Sequence, residues 1–81
     1  MGIKYNYEYL DDNSVGPFRA MNGRRPYAVI CHPWEGGRYI ESYHRTASAA
    51  EKAADSYRAR FERKNPGAYG YGWYPARRVV R

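Results

Sequence analysis

The stretch Tyr27-Ala28-Val29-Ile30-Cys31-His32, Pro33-Trp34-Glu35-Gly36-Gly37, Arg38-Tyr39-Ile40-Glu41-Ser42-Tyr43-His44 decides the fold. Two runs rich in β-branched and aromatic residues flank a proline–glycine turn, the pattern of a β-hairpin with a loop longer than the two-residue minimum. Strands are therefore expected over 27–32 and 38–44. Strict alternation in the second strand puts Tyr39, Glu41, Tyr43 and Arg45 on one face, read as solvent-directed, and Ile40, Ser42 and His44 on the other.

Downstream, Ser48-Ala49-Ala50-Glu51 fits a capping box, so a helix is predicted over about 48–64, with Thr46 as the competing cap. Ala50, Ala53, Ala54, Tyr57 and Phe61 share one helical face, and the alanines allow close approach to a sheet. Glu51 and Asp55 toward the start and Arg58, Arg60, Arg63 and Lys64 toward the end suit the helix dipole. Asn65-Pro66-Gly67 stops the helix.

Upstream, residues 3–10 alternate, with Ile3, Tyr5, Tyr7 and Tyr9 on one side, which predicts a half-buried strand. A turn is expected at Asp11–Ser14 and a possible short strand at Phe18–Met21, between Gly16-Pro17 and Asn22-Gly23. Residues 66–81 read either as a final strand, around Gly72–Tyr74 and Val79–Val80, or as an aromatic, basic tail. The expected fold is α+β: one small domain over 1–81, a three- or four-stranded antiparallel sheet packed on one helix.

At 81 residues the chain has room for one shallow core. Its ten tyrosines favour sites apolar on one side and wet on the other, which brings rings to the surface. No stretch is long and apolar enough for a bilayer, and no signal-like segment follows Met1, so a cytoplasmic location and no membrane partner are expected. The single cysteine, Cys31, forbids an internal disulfide.

The net charge of +6 is unevenly placed. Residues 1–55 carry seven cations and seven carboxylates, whereas residues 56–81 carry Arg58, Arg60, Arg63, Lys64, Arg77, Arg78 and Arg81 against Glu62 alone. Such asymmetry favours an anionic partner, and arginine suits forked contacts to phosphate.

Catalysis has little material. Cys31 and His32 are strand neighbours that point to opposite faces, so they form no nucleophile–base pair. His32 and His44 with one carboxylate make a poor metal site. The reading is a non-enzymatic binding protein, without cofactor, metal or small-molecule substrate and of open oligomeric state. Its partner is nucleic acid or a protein–nucleic-acid complex. Tyr69, Tyr71, Trp73 and Tyr74 beside Arg77 and Arg78 can stack on bases while the cations hold phosphates. The helix-end cations Arg58, Arg60, Arg63 and Lys64 add to that surface. On the hairpin, Trp34, Arg38, Tyr39, Tyr43 and Arg45 can form a ribbon for a duplex groove.

Gly37-Arg38-Tyr39-Ile40 followed by Thr46-Ala47-Ser48-Ala49-Ala50-Glu51-Lys52-Ala53-Ala54-Asp55 resembles the three-stranded DNA-binding domains of plant ethylene-response factors and the arm-binding domains of tyrosine recombinases. That resemblance implies a sheet face laid in the major groove, with contacts from Arg38 and Trp34. The leucine-glycine element expected before the threonine is replaced by Ser42-Tyr43-His44-Arg45. By size and architecture the chain also resembles small phage-encoded anti-CRISPR proteins, which implies a host-cytoplasmic inhibitor that docks on a CRISPR effector and blocks target DNA or nuclease recruitment.

Overall fold

The computed structural model describes residues 3–10, 17–20, 25–67 and 70–79. The elements run β1 (Ile3–Tyr9), β2 (Pro17–Ala20), β3 (Tyr27–His32), β4 (Tyr39–His44), α1 (Ala47–Lys64) and β5 (Gly72–Val79). They form one antiparallel sheet in the order β2-β1-β5-β3-β4, with α1 packed on one face. The α+β class and the antiparallel sheet with one helix are as the sequence predicts. The sheet has five strands because Pro17–Ala20 and Gly72–Val79 both join it. Turn residues 11–14, Asn22-Gly23, Tyr69, Val80 and Arg81 lie outside the described residues.

Residues 72–79 are thus a central strand, not a tail, despite Pro75. The Pro75 carbonyl accepts from Leu10 N at 3.1 Å, so its missing N–H faces the β1 side, where β1 ends at Tyr9. The ladder to β3 loses no donor. Two residues back along β5, the Trp73 carbonyl lies past the end of β1, and the Arg58 guanidinium donates to it.

In a flat five-stranded sheet the outer strands would lie about 19 Å apart. Here Cα atoms of β2 and β4 come within 8 Å, so the sheet curls until its edges approach without pairing. Its concave face becomes an interior. Across β1, β5, β3 and β4 the register aligns Tyr9, Ala76, Ala28 and Tyr43, large side chains outside and small ones at the centre. Tyr7, Tyr9, Ala28, Ile30 and Ala76 are buried there, with Tyr5, Ile40 and Tyr43 against them. Tyr7 and Tyr9, on the shared side of the half-buried strand that the alternation predicts, are thus core, while Tyr39, Tyr71 and Tyr74 bring rings to the surface.

The convex face carries the second core, in which Val29, Cys31 and Trp73 meet Ala50 and Ala54 of α1. Both alanines are fully buried, and Tyr57 and Phe61 extend the contact along the predicted stripe. The cap is Thr46, not Ser48: Thr46 has extended backbone and its Oγ1 accepts from Ala49 N at 3.1 Å. With the helix starting at Ala47, its first turn holds no acidic residue, while Arg63 and Lys64 occupy the last. Asn65 ends it, its backbone N and side-chain Nδ2 both donating to Phe61 O.

Alternation in β4 fails at one point. The β3–β4 register shifts between Val29 and Ile30, where Ser42 pairs with Val29 but Ile40 with Ile30, leaving Glu41 as the extra residue of a bulge. Tyr39 and Glu41 consequently turn to the helix side, opposite Cys31 and near Trp73, while Tyr43 joins Ile40 in the interior. The expected common face of Tyr39, Glu41 and Tyr43 does not form.

Candidate functional site

The chain brings three separate segments to one end of the sheet. The β3–β4 loop carries Trp34 and Arg38, α1 delivers Arg60, Arg63 and Lys64 in its last turns, and the approach to β5 supplies Gly70 and Tyr71. Trp34 is 66% exposed and lies against Gly70, where an added Cβ would sit 2.7 Å from the indole side chain. Gly70 has φ +104°, a conformation that side-chain-bearing residues rarely adopt. Glycine is thus required there on two grounds, and it seats Trp34 beside the chain that carries Tyr71.

Between α1 and the start of β5 an open groove of about 190 Å³ is lined by Tyr57, Arg60, Phe61, Lys64, Asn65 and Trp73. Its walls are aromatic, its rim is cationic, and among the described residues no carboxylate lines it. Trp73 is only 7% exposed, and its Nε1 donates to Glu41 Oε1 at 3.2 Å, which fixes the indole plane. Tyr57 and Tyr71 lie near-parallel to it, at 29° and 21° with centroids 6.2 and 6.1 Å away. Phe61 packs on Tyr71 at 4.9 Å and on Trp73 at 5.6 Å. Tyr71 is 44% exposed, so its ring continues the aromatic array into solvent.

Other predicted site residues have structural employment. Arg58 pairs with Asp55 at 2.8 Å, donates to the Trp73 carbonyl and lies 5.7 Å over Tyr74. Arg77 pairs with Glu8, its cross-strand neighbour, at 2.5 Å. Arg78 lies 4.7 Å over the Tyr5 ring, and Tyr43 is half-buried in the interior. Tyr39 faces Glu41 Oε1 at 3.5 Å, and its hydroxyl pKa is pushed up by its hydrogen bond to Cys31 and then by burial. Arg45 is exposed but follows β4 at the opposite end of the sheet. The sheet face that the resemblance to three-stranded DNA-binding domains would lay in a groove is the buried concave one.

Sequence reasoning did not single out Tyr57, Phe61 and Asn65 as site residues, because the two rings sit at the spacing of the helix's core stripe. The available signal was Arg60 and Lys64, which flank Phe61 on the same side of the helix.

Cys31 and His32 do face opposite sides, the thiol toward α1 and the imidazole toward Tyr9 and Tyr74. Burial pushes the Cys31 thiol up, which keeps it protonated. Among the described residues no group of three or more His, Cys, Asp or Glu side chains is placed to hold a metal ion, and no helix is long and apolar enough to cross a membrane. No family model, curated protein or solved structure matches this chain.

Proposed function

We propose that the chain is a nucleic-acid-binding module that engages its partner through the loop end of the sheet. The carrying observation is the aromatic groove rimmed by Arg60 and Lys64, with exposed Tyr71 and Trp34 beside it. Aromatic faces next to cations match a polymer of flat rings joined by phosphates. Among the described residues the groove lining carries Arg60 and Lys64 and no carboxylate, which supports an anionic partner over a cationic one.

Anisotropy titrations of labelled nucleic acid test this. If Arg60, Arg63 and Lys64 each neutralise one phosphate, affinity falls about 20- to 40-fold between about 50 and 200 mM salt, from the release of counterions. The R60Q/R63Q/K64Q variant, altered only at exposed positions, should stay folded with a modestly lower Tm, since it loses two cations of the last helical turn and the Arg60 contact 5.9 Å over Tyr57, and it should lose most of that salt dependence. Binding that ignores salt and survives the triple substitution would overturn the proposal. It would favour protein docking through Trp34 and Tyr71, the occluding-inhibitor reading.

A further inference from the structure

We infer that the groove between α1 and β5 receives an unpaired nucleobase, so that the preferred partner is single-stranded; this rests on the nucleic-acid reading above. The groove of about 190 Å³ is smaller than the clefts of about 300–1,000 Å³ that bury whole drug-sized ligands. It suits one flat ring and not a cofactor. Its floor is three rings on two elements: Tyr57 and Phe61 from α1, and Trp73 from β5, held by Glu41. Trp73 is buried and sets the inclination of its neighbours, Tyr57 and Tyr71 each lying within 30° of it, so a base in the groove would rest on the partly exposed Tyr57 and Phe61 rings and a second on exposed Tyr71.

Charge and topology select the occupant. Arg60 and Lys64 stand at the rim on the solvent side of the rings, where the phosphates of a strand whose bases point inward would pass. An aliphatic or acidic peptide would meet the same cations but leave the ring faces unused. A duplex hides its base faces in its own stack and offers only edges and backbone. The sheet surface that would read those edges is closed into the concave core. An unstacked strand is the partner whose ring faces and phosphates match both halves of the groove.

The test uses the full chain and three labelled probes: oligothymidylate, an abasic strand of equal length and charge, and a blunt duplex. Thymidylate should bind about 5- to 150-fold more tightly than the abasic strand, the span expected for one stacked base, and should quench tryptophan fluorescence. Tyr71→Ala should weaken thymidylate binding about 5-fold or more and leave abasic binding unchanged, whereas Lys64→Gln should lower both in parallel. Equal affinity for thymidylate and abasic strand, or duplex binding as tight as single-strand binding, would overturn the base-in-groove inference and leave the nucleic-acid reading intact. Failure of all three probes to bind at low salt would overturn both.

Discussion

Gly70 shows how one residue joins two parts of the candidate site. Its φ of +104° and the 2.7 Å approach of Trp34 to a virtual Cβ are separate constraints, and they can be separated experimentally. Gly67 has φ +78° but nothing within 4 Å of its virtual Cβ. Gly67→Ala should therefore cost only the backbone term, about 1 kcal/mol, while Gly70→Ala should cost more, up to about 3 kcal/mol. The contact is made by the Trp34 Cβ as well as by its ring, so in a Trp34→Gly background, which removes both, the Gly70→Ala penalty should shrink toward the Gly67→Ala value. A denaturant double-mutant cycle measures this; a coupling of zero would mean that Trp34 is not seated by Gly70.

At the level of elements, the helix is where sequence and structure agree most closely, and its start is where they part. The stripe Ala50, Ala53, Ala54, Tyr57, Phe61 is legible because a 3.6-residue period has one solution, but Thr46 and Ser48 both carry a capping hydroxyl. Geometry selects Thr46, whose extended backbone follows directly from β4. Thr46→Ala should destabilise by about 1 kcal/mol, lowering Tm by about 4–8 °C, and Ser48→Ala should stay within about 0.5 kcal/mol. Equal losses would return the cap to Ser48. The β3–β4 hairpin was equally legible, yet the face of Tyr43 was not, because a bulge adds one residue without marking the sequence. β5 was obscured by Pro75 and by the glycines around Tyr71, and its place depends on β1 ending where Pro75 lacks its donor. The helix-end half of the candidate site could thus be read from charge, while the groove floor needed the tertiary contact of Phe61 with Trp73.

For the molecule as a whole, the C-terminal charge surplus is partly absorbed by the fold. Arg58, Arg77 and Arg78 serve Asp55, Glu8 and Tyr5, so a count of arginines overstates the surface offered to a partner. The hairpin strands also carry a histidine at each end of the sheet. His32 is hydrogen-bonded to the Tyr9 hydroxyl and His44 to Ser42 Oγ at 2.7 Å. Burial first, and then Arg38 for His32 or Arg25 for His44, lowers each imidazole from its ordinary 6.5. The unfolded chain, titrating near that ordinary value, takes up these protons before the folded chain does. Stability should be level above about pH 6.5 and decline as the pH falls below it, because protonation there favours the unfolded state. Thermal melts between about pH 7.5 and 5.5 should show a falling Tm for the parent and a flatter profile for the H32Q/H44Q variant, since carboxylates titrate mostly below that range. An equally steep decline in both proteins would remove the histidines as the cause of the acid sensitivity.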